Sequence, residues 1–136
     1  MAETIHQEVR DAYGAIAYVG RPFHETHPNR LLAVAQLHGV APPKRETISV
    51  LEIGCGDGAN LVPMAASYPR GRFVGIDLSD RLVAIARALA EGAGIPNVTL
   101  LQGDVGTLPS RVGAFDVIVA HGFYSWLPPD VRDTMF

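Results

Sequence analysis

Apolar and polar positions along this chain switch between two periods. Short runs rich in β-branched residues alternate with longer stretches in which apolar residues recur every three to four positions, and glycine or proline punctuates the switches. The runs Ile48 to Ile53, Arg72 to Asp77, Val98 to Gln102 and Ala114 to Ala120 predict four strands. Between the first three, one helix is predicted from about Ala59 to Tyr68. Pro63 falls in its first turn, where a missing amide proton costs little. A second helix is predicted from Asp80 to about Glu91, capped by Ser79 and stopped by Gly92 and Gly94.

Ahead of these elements, Ile5 to Tyr18 is loosely amphipathic, Gly20, Pro22 and Pro28 interrupt it, and Arg30 to His38 predicts a compact apolar helix closed by Gly39. Ala41 to Thr47 is a connector whose prolines forbid helix continuation. Pro128-Pro129-Asp130 opens a last helix. The alternation β-α-β-α-β-x-β with short connections predicts an α/β fold, a doubly wound parallel sheet with helices on both faces. Two parts follow: an N-terminal helical segment and connector over residues 1–47, and the sheet domain over residues 48–136. Doubly wound sheets usually carry more than four strands, so the chain is expected to be a fragment.

Composition alters this little. Among 136 residues, 48% are hydrophobic and 18% charged, sufficient for one domain with a real core. A net charge of −3 gives no sequence-wide basic field, so no nucleic-acid partner is implied. Cys55 stands alone and cannot form an intrachain disulfide, and the first ten residues hold no apolar signal core, so a cytoplasmic protein is expected. No apolar run approaches the roughly 20 residues that span a bilayer, and no membrane partner is expected.

The chemistry concentrates in S-V-L-E-I-G-C-G-D-G-A-N, Ser49 to Asn60, and in G-I-D-L-S, Gly75 to Ser79. A strand breaks into glycines at alternate positions (Gly54, Gly56, Gly58) and then enters a helix, an arrangement that lets a nucleotide-like ligand touch backbone. Gly54-x-Gly56-x-x-Ala59 satisfies the dinucleotide spacing, with Asp77 about twenty residues on as a ribose acid. Charge favours a different ligand. A pyrophosphate wants amide protons and no carboxylates, whereas this loop carries Glu52 and Asp57 and no Lys or Arg between Arg45 and Arg70. A nucleoside with a sulfonium, an ammonium and one carboxylate suits it better, and S-adenosyl-L-methionine is that ligand. Asp77, followed by Leu78, is placed to accept both ribose hydroxyls. Asp104 is placed to accept from an adenine amino group, with Val105 beside the ring.

The successive motifs V-L-E-I-G-C-G-D-G, G-I-D-L-S, G-D-V and F-D-V-I-V-A-H-G, from Val50 to Gly122, resemble those of class I S-adenosylmethionine-dependent methyltransferases. The resemblance implies a Rossmann-like sheet of strand order 3-2-1-4-5-7-6, of which this chain would supply strands one to four, in order 3-2-1-4. P-F-H-E-T-H-P with A-H-G-F-Y-S-W-L-P is further similar to bacterial methyltransferases that carry a methyltransferase regulatory domain.

The resulting candidates for cofactor binding are Glu52, Gly54, Cys55, Gly56, Asp57, Asn60, Asp77, Leu78, Asp104, Val105 and His121, with Tyr18 and His27 in a segment expected to fold over the cofactor as a lid together with Phe23. Cys55 belongs to the loop through its backbone, while a small side chain there reads as packing. His24, Glu25 and His27 read as a polar loop or helix start, and no metal site is expected. His121, at the mouth of the cleft with Tyr124 and Trp126 behind it, is the candidate base or acceptor-orienting group. The expected activity is in-line methyl transfer to a protein or small-molecule acceptor. A cofactor-binding module without turnover and an NAD-dependent oxidoreductase are the alternatives. An uncovered edge at the fourth strand also predicts homodimerisation.

Overall fold

The computed structural model describes residues 19–108, 112–122, 124–126 and 132. Tyr18, the helix expected before it and most of the stretch from Pro128 onward lie outside them. Four strands, β1 (Ser49–Ile53), β2 (Arg72–Asp77), β3 (Val98–Gln102) and β4 (Val117–Val119), form one parallel sheet in the order β3-β2-β1-β4. Val50 lies opposite Phe73 on one side and Val117 on the other, which places β1 inside the sheet. The described helices are α1 (Pro28–Leu37), α2 (Leu61–Ser67) and α3 (Asp80–Gly92).

Strand alternation decides which side chains meet the helices. Ile48, Val50, Phe73, Leu100, Val117 and Val119 point to one face, where they pack with Leu32 of α1, Leu61, Val62, Met64 and Ala65 of α2, and Val83, Ala86 and Ala90 of α3. Ile48, Val50, Leu61, Phe73 and Val83 are completely buried. Each such side chain contributes about 1.5–3 kcal/mol of hydrophobic stabilisation.

Among the described residues all three helices therefore lie on this one face, where the sequence pattern predicts helices on both. Chain direction is the cause. The crossovers β1-α2-β2 and β2-α3-β3 step the same way across the sheet, and right-handed crossovers in one direction put their helices on one side. The β3–β4 connection crosses back, and its described residues include a short turn of 3₁₀ helix, Val105–Thr107. That connection supplies Val105, Leu108 and Phe115 to the second face, over Leu51, Ile53, Val74 and Ile76.

Helix ends follow local chemistry. Ser79 accepts a hydrogen bond from the Leu82 amide (3.2 Å) and so caps α3 as its position predicts. Pro28 starts α1, two residues before the expected boundary, because the preceding His27 caps it by accepting from the Asn29 amide (3.3 Å). β4 is shorter than the run Ala114 to Ala120. The Ala114 and Val112 carbonyls accept from the Arg72 guanidinium (2.6 and 2.7 Å), and the Asp116 carboxylate accepts from the Ser49 amide and hydroxyl (2.7 Å each). Side chains thus take several of these bonds ahead of Val117, while the Asp116 amide still donates to the Ser49 carbonyl (3.0 Å). No helix among the described residues is long and apolar enough to cross a membrane.

Candidate functional site

Strand order reverses at β1: the chain moves outward through β2 and β3, then returns to pair β4 on the other side. Ligands of open α/β sheets bind at the carboxyl ends of the strands beside such a point. The glycine loop leaves β1 there. The Gly54 and Cys55 amides both donate to the Ile76 carbonyl (2.8 and 3.1 Å), which fastens the loop across the top of β2.

Two glycines in it have distinct causes. Gly56 has a φ of +54°, and no atom lies within 4 Å of where its β-carbon would be, so its outer side opens into the crevice. Gly58 has a φ of +77°, and a β-carbon there would meet the Ala86 β-carbon at 2.9 Å, so it serves the packing of α2 against α3. The Cys55 side chain is buried in the helix-covered core, where burial pushes its thiol pKa up, and the Asp77 and Glu52 charges push it further. That environment holds it neutral and unreactive.

Asp77 ends β2 with both carboxylate oxygens engaged by backbone: one accepts from the Gly56 amide and the other from the Ser79 amide, each at 2.9 Å. It is therefore pinned between the glycine loop and the start of α3. Leu78 follows it, half-buried, with its carbonyl accepting from the Gln102 side chain (3.1 Å). Asp104 caps the turn after β3 by accepting from the Gly106 amide (2.8 Å), and Val105 packs beneath. Asp104, Asp77 and Glu52 thus lie at the carboxyl-terminal ends of β3, β2 and β1, successive strands in the sheet.

Glu52 is the most unusual group. Only 5% exposed, it faces the helix side of β1, and its Oε1 accepts from Asn60 Nδ2 at 2.6 Å while its Oε2 has no partner. Burial pushes its pKa up to about 7, a rise the Asn60 hydrogen bond opposes and the nearby Asp57 and Asp77 charges reinforce. A buried carboxylate with one bare oxygen beside two other acids is a place for a cation.

Asn60 occupies the N-cap of α2 yet makes no cap bond. Its amide turns to Glu52 on one side and to the N-terminal segment on the other: Nδ2 donates to Thr26 Oγ1 (3.0 Å) and Oδ1 accepts from the Phe23 amide (2.8 Å). Asp57 accepts from the Ala59 amide (3.1 Å) in its own loop and from the Gly20 amide (2.9 Å). Residues 20–26 thus form a strap lying along the glycine loop. The Phe23 ring reaches the His121 ring at the end of β4, with centroids 4.1 Å apart.

The crevice therefore brings together Glu52, Gly54, Gly56, Asp57, Asn60, Asp77 and, through Phe23, His121. His27 does not join them. Its ring turns along α2 to Tyr68 (5.9 Å between centroids), and its Nδ1 is used by the cap of α1. Thr26 and Gly20, neither of them a candidate site residue by sequence, anchor the strap together with the Phe23 amide. The one signal pointing to Thr26 is that a buried hydroxyl needs partners, and it finds the Phe23 carbonyl (2.9 Å) and Asn60.

Comparison with known proteins identifies the family and the fold. A methyltransferase-domain model matches residues 50–136. An uncharacterised Rickettsia prowazekii protein is 38% identical over 122 residues, which cover 90% of this chain and 49% of that protein. The structure of PKMT2 from Rickettsia typhi in complex with AdoHcy matches with a TM-score of 0.83 at 38% identity, over 87% of this chain and 23% of that one. Magnesium protoporphyrin IX methyltransferase from Synechocystis, with bound SAM, shares the fold at a TM-score of 0.67 and 19% identity, over 96% of this chain and 68% of that one. This chain thus spans about half the length of the R. prowazekii relative and about a quarter of PKMT2. With a family match over most of its length and the strand order β3-β2-β1-β4, the chain belongs to the methyltransferase-domain family and has the class I, S-adenosylmethionine-dependent fold.

Proposed function

We propose that this chain binds S-adenosylmethionine across the ends of β1, β2 and β3 and, as part of a longer protein, transfers its methyl group to a protein or small-molecule acceptor. The observation that carries this reading is the buried, half-satisfied carboxylate of Glu52 beside a glycine loop free of Lys and Arg. Such a site rewards a ligand with a cationic end and disfavours a diphosphate. Family membership removes the dinucleotide reading that the glycine spacing leaves open.

When bound, S-adenosylmethionine supplies a methyl group already activated by the sulfonium. The residues of this chain then bind and align. Glu52 takes the ammonium end, with Asn60 and Asp57 shaping the loop around it. Gly54, Cys55 and Gly56 offer backbone, and the open side of Gly56 admits close approach. Asp77, fixed by two amides, accepts from the ribose beside Leu78, and Asp104 accepts from the adenine amino group with Val105 below the ring. His121, exposed at the β4 end, orients the acceptor or takes its proton. The strap over residues 20–26 closes the site.

Calorimetry of the chain with S-adenosylhomocysteine and with NAD tests the binding half: heat with the first and none with the second is expected, and the reverse would overturn the reading. Transfer of labelled methyl by the longer parent protein tests the other half, and binding without transfer across candidate acceptors would make this a binding module. For His121, the pH–rate profile is the measurement. If His121→Ala leaves it unchanged, the residue has no acid–base role.

A further inference from the structure

We propose that Asn60 is a positioning residue that couples the seating of the N-terminal strap to the grip of Glu52 on the cationic end of the cofactor. The inference rests on the reading of this loop as an S-adenosylmethionine site. It adds a link between that site and a segment more than thirty residues away in sequence.

Asn60 stands at a helix N-cap, where its side chain would ordinarily accept from its own helix amides, and it forgoes that role. Instead its one amide group joins three segments. Nδ2 donates to Glu52 Oε1 (2.6 Å) and to Thr26 Oγ1 (3.0 Å), and Oδ1 accepts from the Phe23 amide (2.8 Å). These partners fix which way the amide faces, since a backbone N–H can meet only its oxygen and the carboxylate only its nitrogen. Both protons of Nδ2 are then in use. Turning the amide to suit one side abandons the other.

That exclusivity is the coupling. With the strap in place, Asn60 holds Glu52 by Oε1 and leaves Oε2 bare in the protein interior. The ionisable groups acting on Glu52 are Asp57 of the loop and Asp77 of β2, both acidic, while Asn60 at the start of α2 and Thr26 of the strap are neutral. A cation at Oε2 favours the ionised carboxylate, and an ionised carboxylate is the stronger acceptor for Asn60 Nδ2. A stronger hold on Nδ2 keeps the amide facing the way Phe23 and Thr26 require. By linkage, whatever the cofactor does to the strap the strap does to the cofactor, by the same factor.

The test uses S-adenosylhomocysteine, which keeps the ammonium, with calorimetry for affinity and amide hydrogen exchange for the strap. In wild-type protein, saturating S-adenosylhomocysteine is expected to slow exchange of the Phe23 amide by about tenfold, and in Glu52→Gln to leave it unchanged. Thr26→Val should weaken S-adenosylhomocysteine about tenfold in the wild-type background but less than about twofold in Glu52→Gln. Thr26→Ser, which keeps the hydroxyl, should bind as wild type. Equal weakening by Thr26→Val in both backgrounds, or a Phe23 amide indifferent to ligand, overturns the coupling. The exchange measurement on wild type stands even if Thr26→Val does not fold. Absence of binding by wild type overturns the reading of the site itself, and the coupling with it.

Discussion

The sulfur of Cys55 occupies the space that a side chain on Gly75 would need: a β-carbon at Gly75 would lie 2.8 Å from Cys55 Sγ and 2.8 Å from a methyl of Leu61. The glycine of G-I-D-L-S is therefore explained by the cysteine of the glycine loop. Two motifs that look independent in sequence share one packing site, where the loop crosses from β1 over β2.

Gly75→Ala should accordingly destabilise the chain by about 1–3 kcal/mol through overpacking. Because Cys55 Sγ is one of the two nearest atoms, beside a Leu61 methyl at the same distance, adding Cys55→Ala should recover part of that loss, so the double variant loses less than the sum of the two single ones. Urea unfolding of the four proteins gives the cycle. Simple additivity would show that some other neighbour is responsible.

Cys55, the single thiol, is buried and its pKa is raised, so it should be nearly inert in the folded chain. Its reaction with an aromatic disulfide at pH 8 should be on the order of a hundredfold slower than in denaturant, and slower still with S-adenosylhomocysteine bound. Fast reaction without unfolding would mean that the loop opens readily.

Glu52 predicts a pH dependence with a definite sign. Its folded pKa of about 7 lies above the ordinary value of 4.5, so the folded chain binds this proton more tightly than the unfolded chain does. The stability that proton contributes is fully present below about pH 4.5 and is lost as pH rises through about 7. The ligand-free wild type should therefore lose roughly 2–3 kcal/mol relative to Glu52→Gln between pH 4.5 and pH 8. Denaturant melts of both proteins at several pH values measure the difference. Parallel curves would place the titration elsewhere.

The same proton must leave when a cation binds. Affinity for S-adenosylhomocysteine should rise between pH 6 and pH 8 by up to about tenfold, with proton release visible as a buffer-dependent heat, and Glu52→Gln should abolish both.

Asp77 holds the Gly56 and Ser79 amides at 2.9 Å each, so its replacement acts on ligand and fold together. Asp77→Asn should weaken S-adenosylhomocysteine by about tenfold or more while costing under about 1.5 kcal/mol of stability, since one oxygen remains to accept. Calorimetry beside thermal melting separates the two effects. Equal binding by Asp77→Asn would remove the ribose assignment.

Sequence carried the frame of this molecule because its signals are local. β-branched runs, the glycines after β1 and the Ser79 cap each act within a few residues, and β2 and β3 match the expected bounds residue for residue. What escaped it depends on partners distant along the chain. The Asn60 amide reaches Thr26, 34 positions away, and nothing in A-N-L tells a capping asparagine from one that joins three segments. His27 looks equivalent to Phe23 in P-F-H-E-T-H-P, but one turn of 3₁₀ helix between them sends Phe23 to His121 and His27 to Tyr68. β4 was overestimated because Ala114 to Ala120 is uniformly apolar apart from Asp116. The Arg72 and Ser49 contacts that shorten it come from other strands.

The position of β1 between β2 and β4 has a further consequence, for the order in which the molecule forms. Its first ladder closes with a strand about twenty residues on, but its second waits for Asp116, which meets Ser49 across 67 positions. Closing so long a loop carries an entropic delay, so the β2 side should assemble first and β4 should dock late. A half-built sheet would already hold the glycine loop against β2 while His121 is still adrift. Nascent chain of this kind would therefore gain its grip on a nucleoside before it gains the rim from which an acceptor is approached, and ligand present during synthesis could act as a folding template.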